Sequence, residues 1–335
     1  MKRLFPIFLF ITALLSPCCA QTVPSEVLQQ AMQRDETAFL QSMSPTLQHT
    51  QALAVRMAIQ GDTRALQQIR ESRNVAPTLP EGVKAVTLTP TMTLFRSTQP
   101  TSKPRPILLY LHGGGWCFGS INSCMRFCAA VAKRANICVV ALNYRLAPEH
   151  AYPAPIDDCR MAFNYLKGHA AEFGGDTTRV SIGGDSAGGN LAIATAMTVG
   201  GKCSVYSLIP IYPVTELFTR STPSWRTYAQ GYGDDAELLE AFNEAYAAGQ
   251  QQSPLVSVGL ATDETLQQLP PVLLISAGHD ILFDQTAAWA KRLQSLDHPL
   301  SYHVFPTATH LFITVPGQPT AFNESVRIVS EFLKE

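Results

Sequence analysis

Six short runs of the chain are apolar almost without interruption: PILLYLH (106–112), NICVVALNY (136–144), RVSIGG (179–184), CSVYSLIP (203–210), PVLLISAG (271–278) and LSYHVF (300–305). A strand with one wet face alternates apolar and polar residues, whereas a continuous run belongs to a strand covered on both faces. Between these runs, the segments that follow Pro153, Ser186, Phe283 and Pro319 have helical character. Strand and helix in repeated alternation predict an α/β fold: a mainly parallel central sheet covered by helices on both faces. Two shorter β-like runs, 84–89 and 91–96, precede the alternation.

Two segments stand outside this pattern. Residues 21–80 read as an N-terminal helical segment, Gln-rich, with apolar positions such as Leu47, Leu53, Val55 and Ile59 and breaks at Pro45 and Gly61-Asp62. Residues 214–259 fall between two sheet strands, are polar and aromatic, and are too long for a simple crossover. They read as an inserted cap with helical content, so that residues 81–335 form the main α/β domain interrupted by the cap, with residues 21–80 contributing to the same roof.

The first twenty residues follow the order of a secretory signal: Lys2 and Arg3, an apolar run too short to span a bilayer, then small residues ending at Ala20. Cleavage after Ala20 places the protein outside the cytoplasm, secreted or periplasmic. The alternative is a lipoprotein anchored through Cys18 or Cys19, with Pro17 standing where a small Gly or Ala is usual. Without the leader, Cys117, Cys124, Cys128, Cys138, Cys159 and Cys203 remain, an even count that permits disulfides. No His lies at ligand spacing from Cys124 and Cys128, which argues against a zinc site. A net charge of −1 offers no basic patch for nucleic acid, and nothing after the leader suggests stable membrane insertion.

Chemistry concentrates around Ser186 in GGDSAGG (183–189). A serine between a strand and a helix, with Gly184 and Gly188 in G-x-S-x-G spacing, fits a tight turn that presents one hydroxyl at a helix N-terminus. Helix capping is the competing explanation of the same serine. Three further elements follow in the order this chemistry requires. HGGGWCFGS (112–120) supplies backbone N–H groups after a strand, Asp280 lies at the end of another strand, and His310 follows the last one. Asp284 is better suited than Asp280 to helix capping.

Together, HGGGW, NYRLAPEHAYPAPIDD, GDSAGGN, AGHDILFD and His310 make the chain resemble the hormone-sensitive-lipase-like carboxylesterases of the α/β-hydrolase fold. That resemblance implies Ser186 as nucleophile, His310 as base and Asp280 as its orienting carboxylate. It also implies Gly114, Gly115 and Ala187 as the oxyanion hole, with His112 bracing the loop, and no metal or organic cofactor. Ile281 stands where the family often has Pro. The implied partner is a small-molecule ester, hydrolysed through an acyl-enzyme. Trp116, Tyr212 and Trp225 are candidates to line its pocket. A roofed pocket favours short acyl groups, acetyl to hexanoyl, and neither roof segment has the long apolar stretch of a lipid-interface lid. An amidase or formamidase would use the same triad. A non-catalytic binding protein would share only the fold, and the presence of all three triad residues argues against it.

Overall fold

A computed structural model describes residues 21–44, 46–200 and 205–334. The expectations for the leader, for the break at Pro45 and for Cys203 lie outside the described residues. Eight strands, β1 (Val83–Thr89), β2 (Met92–Ser97), β3 (Arg105–Leu111), β4 (Cys138–Leu142), β5 (Gly175–Asp185), β6 (Leu208–Ile211), β7 (Val272–His279) and β8 (Leu300–Thr309), form one sheet. Their order is β1-β2-β4-β3-β5-β6-β7-β8. The β1–β2 and β2–β4 pairs are antiparallel, and every later pair is parallel.

The apolar runs are continuous because successive residues enter different cores. On β3, Leu108 and Tyr110 pack with Phe127 of α4 (Ile121–Ala135) and Val329 of α11 (Pro319–Phe332). Ile107, Leu109 and Leu111 point to the opposite face, where Phe163 of α5 (Ala154–His169), Leu191 of α6 (Ala187–Thr198) and Leu293 of α10 (Phe283–Ser295) lie. Truncating a fully buried ring such as Phe127 to alanine would cost about 3–5 kcal/mol, transfer loss plus cavity. Thr22 extends the sheet beyond β8 by accepting from Val304 N–H at 3.0 Å and donating to Tyr302 O at 2.7 Å, which covers part of an otherwise open edge.

The N-terminal segment forms three helices, α1 (Glu26–Ser42), α2 (Leu47–Ile59) and α3 (Arg64–Arg73). They divide between two tasks. Helix α1 packs on β8 and α11 and buries Met32 in the sheet core, whereas α2 packs against α8 (Ala236–Ala247) of the insertion. Arg70 of α3 donates to Cys117 O at 2.8 Å and Ala147 O at 2.7 Å, tying this segment to the glycine-rich loop after β3. Between β6 and β7 the insertion carries α7 (Pro223–Thr227), α8, a single 3-10 turn (Val258–Leu260) and α9 (Asp263–Gln267). Helical structure therefore continues past residue 259, where the sequence pattern suggested that the insertion ended.

Candidate active site

Strand β5 ends at Asp185 and α6 begins at Ala187, so Ser186 alone makes the turn between them. It does so at φ 55° and ψ −121°, a strained conformation for a residue with a side chain. The turn brings α6 so close to β3 that a Cβ on Gly188 would sit 2.0 Å from Leu111 O. Only glycine fits there. The Ser186 side chain makes no capping hydrogen bond to the helix, which removes the capping explanation. Its Oγ instead lies 2.9 Å from His310 Nε2.

His310 directly follows β8 and is fully buried. Gln318 fixes the main chain around it, donating to His310 O at 3.0 Å and accepting from Thr309 N–H at 2.9 Å. The ring of Tyr212 packs 4.5 Å from the imidazole. His310 Nδ1 meets Asp280 Oδ2 at 2.6 Å, while Asp280 Oδ1 accepts from Leu282 N–H at 2.9 Å. The Asp284 carboxylate turns elsewhere and accepts from Ser224 N–H of α7 at 2.7 Å. A second carboxylate also reaches the imidazole, with Asp234 Oδ2 3.3 Å from Nε2. Burial works against charging His310, but the Asp280 and Asp234 carboxylates outweigh it and hold the imidazole at about 9.

The glycine loop is braced from below. Asp185 Oδ1 accepts from Gly113 N–H at 3.2 Å and from the Tyr110 hydroxyl at 3.0 Å. Burial pushes the Asp185 carboxyl up to about 6 even though both donors favour its charged form. His112 Nδ1 donates to Gly113 O at 2.9 Å, and its ring stacks on Tyr144. The Tyr144 hydroxyl donates to His112 O at 2.7 Å. Burial lowers His112 to about 4, which keeps it neutral and in a bracing role at ordinary pH. Gly114, at φ 118°, occupies a region of backbone space that a side chain would strain.

Gly113, Gly114, Gly115 and Ser186 share one cavity of about 630 Å³. Its apolar walls include Phe39, Phe118, Leu238, Phe242 and Leu311, so α1, the glycine loop, α8 and the loop after His310 all contribute. The aromatic candidates from the sequence do not line it. Trp116, turned by its positive φ of 59°, lies fully buried and stacked on Tyr246 at 4.3 Å. Tyr212 supports His310 from behind and accepts from Ile313 N–H at 3.1 Å through its hydroxyl. Trp225 sits on α7 and packs against the core. Sequence reasoning singled out neither Asp234 nor Phe242, because both come from the insertion, where nothing local marks which residues fold back over Ser186.

Cys117, Cys124, Cys128, Cys138 and Cys159 are all buried and unpaired. Burial also raises the Cys117 thiol, so its position beside the glycine loop does not make it a reactive thiolate. Among the described residues, no His, Cys, Asp and Glu side chains cluster in threes to hold a metal ion, and no helix is long and apolar enough to cross a membrane.

Residues 108–314 match a family described by the alpha/beta hydrolase fold. The chain belongs to the hormone-sensitive-lipase-like carboxylesterase family. Within that family, it is 36% identical over 214 residues to carboxylesterase NlhH of Mycobacterium tuberculosis, a match covering 62% of this chain and 66% of the relative. It is 33% identical over 233 residues to an ethyl acetate hydrolase of Pseudomonas putida, covering 68% of this chain and 72% of that one. The match thus spans just under two thirds of the mycobacterial protein's length. A thermostable esterase from Pseudomonas putida ECU1011 shares the fold of this hormone-sensitive-lipase-like chain, with a TM-score of 0.74 at 22% identity over 91% of this chain and 96% of that one.

Proposed function

We propose that this protein is a serine carboxylic ester hydrolase acting on small esters with short acyl chains through a Ser186-His310-Asp280 triad and an acyl-enzyme. The observation that carries the reading is the continuous chain from Ser186 Oγ to His310 Nε2 at 2.9 Å and from Nδ1 to Asp280 at 2.6 Å, opening on a cavity shared with the glycine loop. Neutral imidazole takes the serine proton as Oγ attacks the ester carbonyl, and Asp280 stabilises the imidazolium that results. The tetrahedral oxygen is held by N–H groups of Gly114, Gly115 and Ala187. Collapse expels the alcohol, which takes its proton from Nε2. Water, activated by the same nitrogen, then frees the acid and restores Oγ–H.

The short-acyl part of this reading is supported by the walls of the cavity. Helices α1 and α8 wall the cavity with Phe39, Leu238 and Phe242, and about 630 Å³ holds a small ester better than an extended fatty chain. The ethyl acetate hydrolase named above accords with this reading. The leader at residues 1–20 adds export to the proposal, with cleavage after Ala20. N-terminal sequencing of the mature protein tests that part, and a start at Gln21 is the expected result. The activity itself is tested by hydrolysis of aryl acetate by the parent and by Ser186→Ala. Loss of turnover in the folded variant supports the assignment, and turnover near that of the parent removes it.

A further inference from the structure

Asp234 is a carboxylate at the reaction centre that the triad does not use. It lies in the loop before α8, is 7% exposed, and lines the same cavity as Ser186. Among the described residues, the one polar partner within reach of its carboxylate is His310 Nε2 at 3.3 Å, the nitrogen that also faces Ser186 Oγ. An ionised carboxylate is an acceptor with room for several donors, and a buried acceptor left short of them carries a desolvation cost. Its place is nevertheless fixed: Gln48 of α2 accepts from Asp235 N–H at 2.6 Å, and Asp235 Oδ1 accepts from Gly231 N–H at 2.7 Å.

What supplies the missing donor follows from the position of Nε2. During acyl transfer this nitrogen protonates the departing alcohol oxygen, which must then lie about 3 Å from it. The leaving oxygen and Asp234 Oδ2 are thus both neighbours of one atom. A group carried on the second carbon from the ester oxygen can reach the space between them. Two kinds of donor fit there, a hydroxyl or an ammonium. The charge beside Asp234 decides between them, because the Arg73 guanidinium, which lines the same cavity, already acts on the Asp234 carboxylate and leaves a neutral hydroxyl the better partner.

We propose that Asp234 accepts a hydrogen bond from the leaving alcohol's vicinal hydroxyl, on the second carbon from the ester oxygen, selecting monoesters of polyols, such as glycerol or a sugar, over esters of simple alcohols. This rests on the esterase reading and specifies its leaving group. The remaining charged and titratable groups around the imidazole are assigned elsewhere: Asp280 to Nδ1, Asp185 to the glycine loop, and the Tyr212 hydroxyl to Ile313. Burial also raises the Asp234 carboxyl, in keeping with an acceptor short of donors.

The test compares kcat/KM for glycerol 1-acetate, propyl acetate and acetylcholine in the parent, Asp234→Asn and Asp234→Leu. Each ratio is taken within one enzyme preparation, so it does not depend on the folded fraction. The parent is expected to prefer glycerol 1-acetate over propyl acetate by about tenfold or more, the scale of a hydrogen bond to a charged group. In Asp234→Leu the ratio should fall close to one, with Asp234→Asn in between. Hydrolysis of propyl acetate with no preference in the parent, or a preference that survives Asp234→Leu, overturns the role of Asp234 while leaving the esterase reading intact. A preference for acetylcholine that disappears in Asp234→Leu overturns it in favour of a cation site. No turnover of any ester by the parent overturns the esterase reading itself, and this inference with it.

Discussion

The Asp280 carboxylate divides its two oxygens, one to His310 Nδ1 at 2.6 Å and the other to the Leu282 N–H at 2.9 Å. The backbone contact fixes the carboxylate, and the carboxylate fixes the imidazole tautomer. Asp280→Asn preserves the shape but presents an amide where the imidazole needs an anion. Turnover of an aryl acetate should fall by about 10⁴-fold. Asp284→Asn, which replaces a carboxylate that accepts from Ser224 N–H rather than facing His310, should stay within a few-fold of the parent. The reverse pattern would assign the wrong carboxylate.

The pH profile follows from the same ring. His310 acts as a base only when neutral, and its surroundings hold the charged form up to about 9. Hence kcat/KM should be low at neutral pH, rise as pH increases and level off above about 9. Asp234→Asn removes one of the carboxylates that favour imidazolium, so its rising limb should move to lower pH. An unmoved limb in that variant would show that Asp234 does not act on His310 electrostatically.

Acyl-chain length probes the enclosure made by α1 and α8. Across aryl esters from acetate to dodecanoate, kcat/KM should be greatest between acetyl and hexanoyl, with poor hydrolysis of emulsified triglyceride and no rate jump at the oil interface. A maximum at long chains would mean that the roof opens into a lipid groove.

Gly188→Ala tests the packing behind the serine. The added methyl meets Leu111 O and His112 O, and because both are backbone atoms there is little room to yield. Overpacking of this kind costs about 1–3 kcal/mol or more. A thermal midpoint several degrees below that of the parent is expected. An unchanged midpoint would show that the turn can relax.

The parts of this molecule that could be read from sequence are those in which the physical constraint is local. A buried strand must be apolar, a one-residue strand-to-helix turn must have small neighbours, and a loop of free N–H groups must lack side chains. Ser186, Gly114 and Gly115 carry such signals, whereas Asp280 and His310 stand out by their places after strands and by the family resemblance, and the structure brings Ser186, His310 and Asp280 into one hydrogen-bonded chain. The cavity walls carry helical patterns but no local mark of their place at the site. Phe39, Phe242 and Asp234 reach Ser186 only because α1, α8 and the loop before α8 fold back over the strand ends. Trp116 shows the converse: it is next to the glycine loop in sequence, yet its backbone turns the ring away onto Tyr246.

The central claim is that Ser186 Oγ is the nucleophile, and covalent capture tests it most directly. The protein is treated with an active-site-directed fluorophosphonate, with and without excess aryl acetate, digested and mapped by mass spectrometry. The account predicts one phosphonyl group, on the peptide containing Ser186, reduced by competing ester and absent from Ser186→Ala. Labelling at another residue, or a Ser186→Ala protein that is still labelled and still hydrolyses ester, would contradict it.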